Sequence, residues 1–265
     1  MSYDLQLGHC LDLIPQLPDG SVDLVVTSPP WWGQDYEAPL IEGWGRLGHE
    51  TDPKAYAGKI CRVVAALRPK LKREALVWLI VADVPDSTGR LSGIPYLVGR
   101  GEHGLIWTYT WMWIWTSSLA DTRMPTQGPL PASTPIVGLS VDPEYHYWRG
   151  QEPDWIAADA PHEEKGVPWA TLPPGLVRVL VETSCRDGGT VLDPFCGSGT
   201  VVGVAHVLDR HGVGMDLSES TLRGARRKVR RMASQMDAAR RGAQQQTGGM
   251  VRQGGDYTEM GRTDS

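Results

Sequence analysis

Phenylalanine is nearly missing from this chain: a single Phe stands beside 11 Trp and 8 Tyr among 265 residues. The aromatic surface is thus made of rings that carry a polar atom, which suit stacking faces as well as cores. Positive charge is not in excess either. Lys and Arg number 26 against 31 Asp and Glu, giving a net charge of -5 and a pI near 5.8. That excludes a chain-wide electrostatic footprint of nucleic-acid binding and leaves only local patches to supply one. Paired cysteines are lacking. Cys10, Cys61, Cys185 and Cys196 lie far apart with no Cys-x-x-Cys spacing, which argues against a disulfide frame or zinc site and for reduced thiols in a cytoplasmic protein. No His, Asp and Glu cluster has metal-ligand spacing. The opening residues, MSYDLQLGHC, contain no basic stretch leading into an apolar one, so no signal peptide is expected. No apolar run approaches bilayer length, so no membrane partner is expected either.

What is present is α/β texture. Hydrophobic residues at 41% and charged residues at 22% support a sizeable core, and the length suits one domain with an inserted subdomain. Residues 3–9 read as a strand, 10–17 as a brief helix, and VDLVVTS (22–28) as the continuous apolar run of a buried parallel strand. Residues 52–71 read as a helix, with Asp52 as N-cap, Pro53 first, and Ala57, Ile60, Val63, Val64 and Leu67 on one face. A buried strand follows at 74–83. In LIWTYTWMWIWT (105–116), Trp111, Trp113 and Trp115 alternate with Met112 and Ile114 at strand period, as in a core or edge strand packed on aromatics. Residues 117–168 are rich in Pro, Ser, Thr and Gly, broken by YHYW (145–148). They read as a loop-rich insertion with a short strand or two. Regular texture returns with a helix (173–185), a strand (189–195), a Gly-led helix (197–209), a strand (212–218) and a basic helix (219–241). Residues 242–265 lack any core-forming pattern and are expected to be disordered.

Two strand-to-loop corners carry the chemistry. DPFCGSGT (193–200) lies between a strand and a helix, where glycine lets a ligand press against backbone N–H groups. Asp216 ends the next strand, where an acid can accept from both ribose hydroxyls of a nucleoside. Val202 stands where a dinucleotide site would have its third glycine, so a cofactor without a pyrophosphate fits better. S-adenosylmethionine fits, with its ribose at Asp216 and its methionine part near Asp193. The other corner is SPPWW (28–32). An exocyclic amine of a base is a poor nucleophile because its lone pair is delocalised into the ring. The Ser28 Oγ and Pro29 carbonyl could accept its two N–H bonds and favour a pyramidal nitrogen. The successive prolines preset the carbonyl direction, so these dipoles act without reorganising. An aromatic at Trp31 could stack on an extruded base.

TSPPWWGQDY followed by LDPFCGSGT resembles the amino-group DNA methyltransferases with permuted (β-type) motif order, over most of residues 3–231. The resemblance implies a Rossmann-like α/β fold, a mostly parallel sheet flanked by helices, with a loop-rich target-recognition insertion. It divides the chain into a catalytic half (1–116), the insertion (117–168), a half that binds S-adenosylmethionine (169–241) and a tail (242–265). Its serine form implies methyl transfer to N4 of cytosine in duplex DNA. Adenine N6, and more remotely RNA or a protein amide, remain alternatives. Carried over, Ser28, Pro29, Pro30 and Trp31 form the catalytic corner. Asp193, Pro194, Phe195, Cys196, Gly197, Ser198 and Gly199 form the cofactor loop, Asp216 and Leu217 lie at the ribose, and Thr171 at the methionine carboxylate. His9 stands where the family often has an acid near the adenine; it either donates to that ring or is a surface residue. Trp31 replaces the usual Tyr and lacks its hydroxyl. Cys196 reads as a cofactor contact or a packing residue, since a carbon-5 mechanism would need a Cys directly after a proline of the catalytic loop. The arginines of 222–241 either solvate an outer face or contact phosphates. Arg123, Arg149 and YHYW are expected at the bases, with Trp44 and the loop 33–50 covering the site. The resemblance further implies DNA as partner, a restriction endonuclease as companion and a homodimer as an option.

Overall fold

A computed structural model describes residues 2–33, 40–85, 89–115, 133–145, 147, 155–158 and 171–250. The chain lays down β1 (Tyr3–Leu7), α1 (Cys10–Leu13), β2 (Val22–Thr27), α2 (Pro53–Leu67), β3 (Leu71–Ile80) and α3 (Ile94–Gly99). After these come β4 (Ile106–Trp115), β5 (Ser133–Ser140), β6 (Trp155–Ala158), α4 (Pro174–Ser184), β7 (Thr190–Asp193), α5 (Thr200–Val207), β8 (His211–Asp216) and α6 (Glu219–Met250). The strands form one sheet in the order β1-β8-β7-β2-β3-β5-β4-β6. All run the same way except β5, which is antiparallel to both its neighbours. The expected mostly parallel, helix-flanked α/β fold is thus present. No described helix is long and apolar enough to cross a membrane.

The sheet is the common floor of two apolar layers. Val25, Val77 and Leu192 face the layer of α1, α2 and α3. Leu24, Val26, Leu76 and Val191 face that of α4 and α5. Every residue of β2 is buried, which explains why its sequence reads as a continuous run rather than an alternation. Helix α2 starts where the sequence places it. The Asp52 carboxylate accepts from the Lys54 and Ala55 amides, at 2.8 and 2.9 Å, and Pro53 opens the helix.

Two expectations are refined. Residues 133–140 lie in the span read as loop-rich with a short strand or two, and they form a full eight-residue strand inside the sheet. Pro135 and Gly138 look like breakers locally, but each has a tertiary reason. Pro135 lies just beyond the last β3 pair, Ile80 with Ile136, where its carbonyl still accepts from the Val81 amide at 3.3 Å; the missing N–H thus falls at the end of that ladder and not inside it. A Cβ at Gly138 would come within 2.5 Å of the Trp78 ring, so glycine makes room for the largest core side chain. At the other end of the chain, α6 does not stop near 241 but keeps its helical backbone to Met250. Ala243, Gln244, Gln245 and Gln246 are good helix formers; Gly242, Gly248 and Gly249 are not, yet the backbone stays helical through them. Residues 251–265 lie outside the described residues.

Candidate active site

Strands β2 and β7 are parallel neighbours, with Leu24 beside Val191 and Val25 beside Leu192. Both therefore leave the sheet at the same rim, and the two corners meet there. Thr27 donates its hydroxyl to Asp193 Oδ1 at 2.6 Å, and the Phe195 amide donates to the same oxygen at 3.1 Å. Burial pushes the Asp193 carboxyl up to about 7; these two bonds oppose the rise and the neighbouring Asp216 charge adds to it.

Next along the rim is β8. Asp216 accepts from the Gly197 amide at 3.0 Å and from the Ser218 amide at 2.8 Å, one on each carboxylate oxygen. A carboxylate offers about four lone-pair sites, so each oxygen keeps accepting capacity. Burial raises this carboxyl as well, against the pull of the two amides. Gly197 has φ +50°, and a Cβ there would meet nothing closer than the Phe195 carbonyl at 3.8 Å. Its absent side chain leaves the backbone bare toward the cavity. Cys196 is buried under the loop, its Sγ occupying the space where a Gly214 Cβ would lie, at 2.6 Å. It thus packs against β8 while also lining the cavity, so both of its expected roles stay open.

The serine corner is held from three sides. Ser28 Oγ donates to the Ile80 carbonyl at 3.2 Å, Trp31 Nε1 donates to the same oxygen at 3.2 Å, and the buried Tyr56 hydroxyl donates to the Pro30 carbonyl at 2.9 Å. The loop after the corner is pinned by Trp32 Nε1 to the Glu50 carbonyl at 2.9 Å and by the Gly33 amide to the Gly48 carbonyl at 2.8 Å.

These elements enclose a cavity of about 590 Å³, within the size range of small-ligand sites. Of the residues expected at the site, His9, Ser28, Pro29, Pro30, Thr171 and Asp193 line it. So do Pro194, Phe195, Cys196, Gly197, Ser198, Asp216 and Leu217. Trp31 and Gly199 do not. Trp31 is 5% exposed and packs into the α4 and α5 layer, because the bend after Pro30 turns its ring inward toward Ile80. Gly199, at φ +78°, would put a Cβ 2.8 Å from that of Ala225; its glycine serves the approach of α6 to the start of α5.

One wall was only partly legible in sequence. Trp44, Ile41 and Leu47 of the loop after the corner face the cavity, with Trp44 edge-on to His9 at 5.3 Å. The Arg62 guanidinium sits 4.9 Å over the Trp44 ring. Burial lowers the His9 pKa, Asp12 opposing and Arg62 adding to the effect. Tyr56 was missed, since nothing in a helix face of mixed residues marks the one that reaches a carbonyl far along the chain. Tyr145 and Tyr147 of the YHYW cluster rest on the sheet instead of at the rim: the Tyr145 hydroxyl bonds that of Tyr109, and Tyr147 packs edge-on to Trp111 at 5.7 Å. His146, Trp148, Arg123 and Arg149 lie outside the described residues. Among the described residues no group of three or more His, Cys, Asp or Glu could hold a metal ion.

Comparison with known proteins follows the same lines. The model of the N6/N4 DNA methylase family matches residues 22–227. The Type II methyltransferase M.SmaI of Serratia marcescens is 26% identical, over 87% of this chain and 91% of its own. M.XycI of Xanthomonas campestris pv. cyanopsidis is also 26% identical, over 80% and 82%. Among solved structures, the PvuII DNA methyltransferase (cytosine-N4-specific) superposes with a TM-score of 0.70 at 14% identity, over 89% of this chain and 93% of that one. A putative DNA modification methylase from Thermus thermophilus, complexed with S-adenosyl-L-methionine, gives 0.65 at 21%, over 87% and 94%. These structural likenesses establish a shared fold.

Proposed function

The chain belongs to the N6/N4 DNA methylase family, and from that premise we propose that it methylates N4 of cytosine at a defined short site in duplex DNA. It is an amino-group DNA methyltransferase that uses S-adenosylmethionine. The cavity fits that cofactor: it offers an acid with spare acceptors at Asp216, a bare backbone at Gly197, and an aromatic wall at Trp44 for a purine. When bound, S-adenosylmethionine supplies a methyl group made electrophilic by its sulfonium.

The observation that carries the reading is the state of Ser28. Its hydroxyl proton is committed to the Ile80 carbonyl, so only lone pairs of Oγ remain to face an incoming group. A hydroxyl that would otherwise donate or accept is thereby fixed as an acceptor, which is what an amine N–H requires. Pro29 lines the same wall, and its carbonyl is assigned as the second acceptor. Tyr56 holds the next carbonyl, at Pro30, so the corner does not have to reorganise as charge develops on the amine. The Thr27 bond to Asp193 ties this corner to the cofactor loop, keeping the base and the methyl donor in register. Asp216 is assigned to the ribose hydroxyls and the His9–Trp44 wall to the adenine. Serine at the first corner position, in place of Asp or Asn, favours cytosine over adenine.

The test is incubation of the protein with labelled S-adenosylmethionine and duplex DNA, followed by mass analysis of the nucleosides. N4-methylcytosine is the expected product. N6-methyladenine alone would overturn the base assignment, and label that survives nuclease treatment would move the substrate to another class.

A further inference from the structure

On the face of the sheet opposite Trp44, a lysine of α6 reaches back to the glycine loop. Lys228 Nζ donates to Ser198 Oγ at 3.1 Å and to Thr200 Oγ1 at 2.6 Å, and the two hydroxyl oxygens lie 3.2 Å apart. Both residues line the cavity. An ammonium has only protons to give, so each hydroxyl meets it with a lone pair. Two hydroxyl protons remain, and the contact between the oxygens can use one of them at most. The other has to find an acceptor elsewhere, and the half-exposed Ser198 faces the cavity.

We propose that Lys228, acting through Ser198 and Thr200, is a positioning residue that makes this end of the cavity an anion-holding end, and that the anion is the carboxylate of the methionine moiety. The inference rests on S-adenosylmethionine as the cofactor of this cavity. Its charge logic is independent of the family. The cofactor carries an ammonium, a sulfonium and a carboxylate, while the loop presents the buried carboxyl of Asp193 and the partly buried one of Asp216. These acids favour the two cations and repel the carboxylate. A cation behind Ser198 and Thr200 offsets the repulsion and biases the hydroxyl protons outward. The field of Lys228 does reach the loop: burial drives the Cys196 thiol well up, and Lys228 is among the groups that oppose the rise. Thr171 lines the cavity beside Leu172, which belongs to this same face, and adds a further hydroxyl there.

The rival is a plain strut that ties α6 to the loop with no bearing on charge recognition. Calorimetric titration of the full chain separates the two, using S-adenosylmethionine and its decarboxylated analogue as ligands. The wild-type protein is expected to prefer the carboxylate-bearing ligand. Lys228→Met should weaken that ligand about tenfold or more, the value of a charge-assisted hydrogen bond, and leave the decarboxylated analogue unchanged or tighter. Lys228→Arg should keep the preference. Equal weakening of both ligands, or a wild-type protein that does not discriminate, overturns the proposal. Failure of the wild-type protein to bind either ligand would instead sink the cofactor assignment beneath it. Should Lys228→Met melt at the assay temperature, Ser198→Ala removes the cavity-facing hydroxyl alone, and its effect must again fall on the carboxylate-bearing ligand only.

Discussion

Thr27 and Asp193 stand 166 residues apart in sequence and 2.6 Å apart in space. Each is the last residue of its strand, β2 or β7, so the bond joins the serine corner to the glycine loop directly, without a helix between them. A methyl transfer needs donor and acceptor held to a fraction of an ångström. A buried hydroxyl–carboxyl contact between neighbouring strand ends supplies that constraint more rigidly than two independent loops could.

Thr27→Val keeps the shape and removes the bond. The Asp193 carboxyl then keeps its burial and loses a donor, which costs about 1–3 kcal/mol of stability and raises its pKa further. We expect a lower Tm by thermal melt and a larger loss in kcat than in cofactor affinity, because the relative placement of the corners suffers most. Unchanged kcat with a lower Tm would limit the bond to a structural role.

Asp193 also sets a pH dependence. Its folded-state pKa, about 7, lies above its ordinary value of 3.8, so the folded protein holds this proton more tightly than the unfolded chain. Stability from this group is therefore complete below about pH 4 and is lost as pH rises through about 7. Cofactor binding should run the other way. The cations of S-adenosylmethionine favour the ionised carboxyl, so affinity rises through the same range and binding releases a proton. Calorimetry in buffers of different ionisation enthalpy reads that proton, and Asp193→Asn should abolish its release.

Ser28→Ala removes the acceptor and leaves the cavity otherwise intact. Loss of one preorganised hydrogen-bonding group at a reacting centre costs about 10²–10³ in kcat. Binding of cofactor and of DNA should persist, measured by calorimetry and by gel shift. A variant with near-normal turnover would remove Ser28 from the mechanism.

Tyr56→Phe tests the support beneath the corner. It leaves the Pro30 carbonyl without its 2.9 Å partner and permits the bend to relax. We expect kcat to fall about tenfold, near 1.4 kcal/mol of barrier, with the KM for S-adenosylmethionine unchanged, since Tyr56 does not line the cavity. A rise in that KM at constant kcat would contradict a positioning role at the acceptor.

What the sequence made legible followed from local chemistry. The buried strand before Ser28, the Asp52 cap and the acid ending β8 each declare themselves within a few residues. What it hid was set by partners distant in the chain. Gly138 reads as a loop residue until Trp78 is seen filling the space its side chain would take. Trp31 reads as a stacking platform because a sequence does not say which way a bend turns its ring; here the indole N–H finds Ile80 and the ring goes inward. Lys228 sits in a run of arginines that reads as one solvated or phosphate-facing surface, yet it alone in that run bonds the glycine loop among the described hydrogen bonds. Tyr56 is not among the residues read as the apolar face of its helix, and only the path of the corner gives its hydroxyl a task.

Gly199 separates the two kinds of glycine in one motif. In sequence, Gly197 and Gly199 are equivalent halves of a Gly-x-Gly turn at the cofactor. In space, only Gly197 faces the cavity, while a Cβ on Gly199 would collide with Ala225 at 2.8 Å from a backbone at φ +78°. Gly199→Ala therefore combines backbone strain with overpacking against α6, about 2–4 kcal/mol of stability in all. The double variant with Ala225→Gly should relieve the Cβ clash but not the 3.1 Å approach to the Ala225 Cα, at a cost of about 1 kcal/mol for glycine inside α6, and leave the strain. Gly197→Ala should cost the smaller strain term alone and instead weaken S-adenosylmethionine, because its methyl projects toward the ligand. Measured side by side by thermal melt and calorimetry, the two variants should lie on opposite axes, stability for Gly199 and affinity for Gly197; equal loss of affinity in both would mean that Gly199 touches the cofactor after all.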